Sequence, residues 1–134
     1  MTVIPVRYGL EILIFVYLIF LFICIVAFEN PNTLGIITLT AMILFTNYAV
    51  FGIKYSIDNE NLYIKNSIFG TTTVPIATIK TVEKTQSILS SPAPSIFGRV
   101  RILSKAHDII ISPRHYDEFK NLLLSINPEI VFKN

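Results

Sequence analysis

Tryptophan is absent from these 134 residues, histidine occurs twice and cysteine once. A single cysteine, Cys24, excludes an intramolecular disulfide and any cysteine-built metal site. It lies inside an apolar run, where it reads as a small apolar filler. His107 and His115 have no H-E-x-x-H pattern, Cys pair or His–Asp arrangement around them and read as surface residues. No G-x-G-x-x-G and no phosphate loop occurs, and the serines of Ser90-Ser91-Pro92-Ala93-Pro94-Ser95 have no base beside them. Glu60, Glu83, Asp108, Asp117, Glu118 and Glu129 are scattered over turns and polar faces. Catalysis needs a constellation, and none is written here. The chain is therefore expected not to be an enzyme, and to have no catalytic residue, no cofactor, no metal and no evident small-molecule substrate.

Charge is also scarce. Charged residues make up 15% of the chain and the mean hydropathy is +0.61, too apolar for an ordinary soluble protein. The shortage is concentrated at one end. Residues 1–53 carry only Arg7, Glu11 and Glu29, whereas residues 54–134 carry ten Lys/Arg and seven Asp/Glu.

What fills the first part is two uncharged apolar stretches. Ile12–Phe28 lies between Glu11 and Glu29, and a second stretch follows with its apolar body near Leu34–Ile53. At about 1.5 Å of rise per residue, each crosses or nearly crosses a hydrocarbon core of about 30 Å. The first is too long for a signal-peptide core, lacks an A-x-A-like cleavage site and is followed at once by a second span, so it is expected to be retained. Residues 1–53 are thus expected to form a membrane anchor with helices over about 10–28 and 34–53. Glu29-Asn30-Pro31-Asn32 joins them; Pro31 breaks the helix, and Asn32 or Thr33 is suited to cap the second one. So short a loop makes the helices antiparallel neighbours. Arg7 and Lys54 flank the hairpin while its loop has only Glu29, which places both termini in the cytoplasm of a multi-pass protein of the cell (inner) membrane. Thr38, Thr40, Thr46 and Asn47 are the polar residues of the second span. Without an ionisable companion they read as hydrogen-bonding residues rather than a transport path.

From Tyr55 the period becomes alternating. Tyr55-Ser56-Ile57, Leu62-Tyr63-Ile64-Lys65 and Thr71–Val74 read as strands, separated by Asp58-Asn59-Glu60-Asn61 and Asn66–Gly70. Ile76, Ile79 and Val82 space as a single turn entering a fourth strand that ends near Gln86. Ser87–Ser95 is a Ser/Pro loop, and Arg99–Leu103 and Asp108–Ser112 are further strands. Ser112 and Pro113 are placed to cap and open a helix whose Tyr116, Phe119, Leu122, Leu123 and Ile126 share one face. Asn127-Pro128 ends it. The expected fold is α+β: a transmembrane helical hairpin, then a small antiparallel sheet or barrel over residues 54–134 closed by a C-terminal helix.

This plan resembles the bacterial pleckstrin-homology-like domains, in particular the small YyaB-like group. The resemblance is carried by Tyr55-x-Ile57 with Leu62-Tyr63-Ile64 and by Val74-Pro75-Ile76 with Ile79 and Val82. It continues through Ser95–Ile102, Ile110-Ile111-Ser112-Pro113, Phe119, Leu123 and Asn127-Pro128-Glu129-Ile130. Gly98 departs from it, near the start of a strand that similar sequences make without glycine. The resemblance implies a non-catalytic domain, often found behind a pair of membrane helices.

Two features offer contacts. Arg99 and Arg101 alternate with Val100 and Ile102 and so project from one face, with Lys80, Lys84 and Lys105 as candidates to join them. Such a cluster suits anionic headgroups, each near-surface cation contributing about 1 kcal/mol. Glu83 dilutes it, and a solvated polar face is the plainer reading. Ile88, Leu89, Ile96 and Phe97 give the Ser/Pro loop an apolar content that either tucks into the sheet or forms a lip for lipid or a partner; Ile96 and Phe97 are expected in the core, and Ile88 and Leu89 fit either place. Nucleic acid is not expected at a local charge of only +3 without a motif. The expected role is a membrane-anchored module that binds an unidentified protein or another copy of itself. Alternatives are a sensor of anionic membrane lipids, or an accessory or immunity-type factor acting through the hairpin, with Thr46 and Asn47 engaged.

Overall fold

The protein is described by a computed structural model covering residues 1–88 and 92–134. Its elements are β1 (Thr2–Ile4), α1 (Leu10–Glu29), α2 (Thr33–Phe51), β2 (Lys54–Ile57), β3 (Asn61–Asn66), β4 (Gly70–Pro75), β5 (Ile79–Thr85), β6 (Arg99–Ser104), β7 (Asp108–Ile111), α3 (Tyr116–Ile126) and β8 (Val131–Lys133). A single 3₁₀ turn, Ile76–Thr78, leads into β5.

Helices α1 and α2 hold 20 and 19 residues and carry apolar side chains all round. Only 6% of the most apolar window of α1 and none of that of α2 is covered by protein. The core helix of a soluble domain would be covered; these two are bare, and each is long and apolar enough to cross a membrane. Asn32 caps α2, its side-chain oxygen accepting from the Gly35 amide. The hydroxyls of Thr38, Thr40 and Thr46 donate to carbonyls four residues back, at 2.8–2.9 Å. Asn47 accepts from the Tyr17 hydroxyl across the pair at 2.6 Å. The threonines thus bond the backbone of their own helix, and Asn47 bonds both the Ile43 carbonyl and Tyr17 of the neighbouring helix.

The rest is two four-stranded sheets rather than a closed barrel, in the orders β1-β2-β3-β4 and β7-β6-β5-β8. Alternation decides which residues line the space between them. Tyr55, Ile57, Leu62, Ile64 and Val74 come from the first sheet, and Val82, Val100, Ile102 and Ile111 from the second. Phe119 and Leu123 of α3 close the opening, and all of these are buried. Fully burying a side chain of this size contributes about 1.5–3 kcal/mol, so this cluster holds the sheets together.

Two strands were not expected, and both change the plan. Residues 1–53 were read as anchor, but β1 pairs antiparallel with β2 in the register Thr2–Ile57, Val3–Ser56, Ile4–Tyr55. The helical hairpin is thus an insertion between two adjacent strands of one sheet, and Ile4 is buried in the core. After Asn127-Pro128, β8 adds to β5 in parallel.

Ser112 and Pro113 do not start α3, whose N-cap is His115 without a side-chain cap. The chain ahead of α1 claims them instead. The Arg7 amide donates to the Ser112 carbonyl at 2.8 Å, the Ser112 hydroxyl donates to the Arg7 carbonyl at 3.1 Å, and Val6 bridges Pro113. Residues 2–7 therefore join one sheet to the other.

Tyr55 stands at that junction, fully buried. Its hydroxyl donates to the Pro92 carbonyl and accepts from the Ser112 amide, and burial pushes its pKa up to about 12. Tyr55→Phe leaves both partners without a replacement in a buried place, which costs about 1–3 kcal/mol. Urea unfolding of the full chain in mild detergent is expected to show that loss; an unchanged midpoint would contradict the placement.

Candidate functional site

The domain meets the hairpin through a neck. The Tyr8 hydroxyl donates to the Ile53 carbonyl at 3.1 Å, and the Tyr8 ring packs on Phe51 with 5.2 Å between centroids. The Gly9 amide donates to the Pro94 carbonyl at 2.8 Å. Glu11, in the first turn of α1, accepts from the Ile96 amide at 2.8 Å and the Ser95 hydroxyl at 3.0 Å. The loop before β6 is thereby held against the hairpin.

Beside this neck an open cleft of about 470 Å³ lies between the ends of β5 and β6, the Arg7 segment and the start of α3. Arg7, Lys84, Arg99 and Arg114 line it together with Tyr116, and none of its lining residues is Asp or Glu. Lys84 sits over the Tyr116 ring, 4.4 Å from its centroid. Gly98, the departure noted in the sequence, has φ +67°, and a Cβ there would come within 2.9 Å of an Arg7 guanidinium nitrogen. A side chain at 98 would strain the backbone and crowd the cleft wall. At the far end of the domain a second cleft, of about 510 Å³, is lined by Glu60 and Glu129 with no cation. Positive charge thus gathers at the hairpin end.

The cations singled out from the sequence are not one cluster. Arg99 and Arg101 do share a face, opposite buried Val100 and Ile102, but their surroundings differ. Arg99 is only 7% exposed, with its guanidinium donating to the carbonyls of Ser95, Ser87 and Ala93. It organises the Ser/Pro loop from beneath. Arg101 is committed to Asp108 through two hydrogen bonds and lies 3.5 Å from Glu83. The hydrogen bond from Arg101 holds the Asp108 carboxyl below the usual carboxylate range. Lys84 pairs with Val100 in the ladder, so it lies on the opposite face from both arginines. Lys80 falls at the irregularity between Ile79 and Thr81, at the other end of β5, close to the turn that carries Lys105. Ile88 is 79% exposed; Leu89 lies outside the described residues. Arg7 and Arg114 were not singled out, since only the pairing of residues 5–7 with 112–114 brings them together. His107 is half-buried in the β6–β7 turn and His115 is exposed. Among the described residues no group of three His, Cys, Asp or Glu is placed to hold a metal.

Two small sheets packed around one core and closed by a C-terminal helix, carried on an apolar helical hairpin, define a pleckstrin-homology-like α+β domain. The sequence profile of the bacterial PH domain family matches residues 53–127, more than half of the chain, and the protein belongs to that family. No curated protein and no solved structure matches the chain. The matched span begins after α2, so β1 and the hairpin lie outside it.

The two arginines should separate cleanly on substitution. Arg99→Leu removes buried charge-assisted hydrogen bonds and is expected to cost about 3 kcal/mol. Arg101→Gln breaks an exposed, screened pair and should leave stability nearly unchanged. Urea midpoints of the two variants test this; equal shifts would contradict it.

Proposed function

We propose that the protein is a membrane-anchored, non-enzymatic interaction module. The hairpin spans the cell membrane with both termini in the cytoplasm, and the domain presents a sheet edge to a partner protein or to a second copy. The observation that carries this reading is β4. It is the outer strand of its sheet, Thr71, Thr72 and Thr73 are all exposed, and no charged side chain lies on it. Edges meant to stay unpaired usually carry lysine, an interior proline or a bulge. A bare, uncharged edge of six residues suits strand addition, where backbone groups give affinity and alternate side chains give selectivity. Membership of the family supports an interaction role, since PH domains are generally non-catalytic modules that bind proteins or lipids.

A second reading, headgroup contact, is favoured by the cleft whose lining holds four cations and no Asp or Glu side chain. A phosphate-bearing lipid beside the hairpin would reach Arg7 and Arg114 before it reached Arg99.

Crosslinking of the tagged full chain in its own membrane, followed by purification in mild detergent, tests both. A stoichiometric partner or a self-crosslinked ladder is expected, and Thr72→Lys with Thr73→Lys should abolish it. A clean monomer in the unaltered protein would refute the edge reading. Anionic lipid that co-purifies in a salt-sensitive way, and is lost with Arg7→Gln and Arg114→Gln, would favour the second; lipid retained by that variant would refute it.

A further inference from the structure

Two loops from different sheets reach down beside the hairpin. The β3–β4 turn is pegged to α2: the Ser67 hydroxyl donates to the Ala49 carbonyl at 2.7 Å, and the Tyr48 hydroxyl donates to the Ser67 carbonyl at 3.0 Å. Ala49 lies two residues inside the end of α2, about 3 Å below it along the helix axis. The approach is so close that a Cβ on Gly52 would fall 2.3 Å from the Ser67 Cβ. The loop before β6 is pegged to α1 by Glu11, one residue inside its start.

Each pegged loop ends in an exposed apolar pair. Ile68 and Phe69 are 43% and 83% exposed; Ile96 and Phe97, expected in the core, are instead 39% and 62% exposed, because Glu11 draws their loop to the hairpin rather than into the sheet. No residue of 67–70 or 95–98 is charged. A large ring left that exposed is ordinary when isolated. Here two pairs stand at the same end of the same hairpin, level with the terminal turns of its helices, whose own Tyr48 and Phe51 are exposed beside them.

We infer that Ile68–Phe69 and Ile96–Phe97 are immersed in the interfacial layer of the bilayer that holds the hairpin, and fix the domain's orientation against it. This rests on the hairpin spanning a membrane. The occupant is lipid because the loops are hydrogen-bonded to the first turn of one span and the last turn of the other. Any bilayer that seats α1 and α2 meets these four side chains at its boundary, where aromatic residues are favoured. Glu11 can approach that boundary because its carboxylate is already met by the Ile96 amide and the Ser95 hydroxyl.

The chain has no tryptophan, so one introduced residue is a sole reporter. The full chain carrying Phe69→Trp or Phe97→Trp is reconstituted into phosphatidylcholine–phosphatidylglycerol vesicles, with and without lipids brominated near the headgroup end of their acyl chains. Phe22→Trp within α1 and Ala106→Trp in the exposed β6–β7 turn, away from the hairpin, are the references. Blue-shifted emission from positions 69 and 97, quenched nearly as strongly as at 22 and unlike 106, is expected. Quenching at 22 alone would overturn the inference while leaving the anchor reading intact. No quenching at any position would overturn both. Blue-shifted emission at 69 and 97 that is not quenched, and that varies with the protein-to-lipid ratio, would assign the patch to a second copy and overturn the inference.

Discussion

The pairing of β1 with β2 is the interaction on which the rest depends. These strands are consecutive in the sheet but are separated in the chain by the whole helical hairpin. An antiparallel pair holds its strands about 4.8 Å apart, so closing this ladder brings the start of α1 and the end of α2 together. Tyr8, Phe51 and Ile53 then meet at the neck. The domain does not hang from a flexible linker. Two covalent connections and a hydrogen-bonded ladder attach it, and both enter the same sheet.

That constraint propagates into the second sheet. Because residues 5–7 run on from β1 along Ser112–Arg114, the end of β7 is fixed relative to the hairpin. The buried Tyr55 hydroxyl ties the same Ser112 to Pro92 in the loop before β6. Arg99 then holds that loop from within, and Glu11 holds it from the hairpin side. Each polar group is satisfied by a segment that the β1–β2 pairing has brought near. The collection of Arg7, Lys84 and Arg114 in one cleft follows from the same closure.

Much of this was legible in the residues. Period-two alternation gave β2 and β3, helical spacing gave α3, and the charge gap gave the hairpin, because each signal is repeated over many residues. β1 and β8 were not legible: each is three residues long, too short to show a period. The alternation around Val100 and Ile102 correctly placed Arg99 and Arg101 on one face. It could not tell that a loop buries the first and that Asp108 and Glu83 occupy the second. Lys84 is a candidate to join them from the sequence, yet its pairing with Val100 sets it on the other side. Arg7 and Arg114 are more than a hundred residues apart, and only tertiary pairing reveals their shared cleft.

The most direct test of this account is a disulfide between β1 and β2. With Cys24→Ser as background, Val3→Cys and Ser56→Cys occupy facing positions in the register. Oxidation of the full chain in its own membrane should give an intramolecular bond, seen as a monomer of altered mobility that reverts on reduction. Free thiols, or bonds formed only between copies, would show that the strand ahead of the hairpin does not close the sheet.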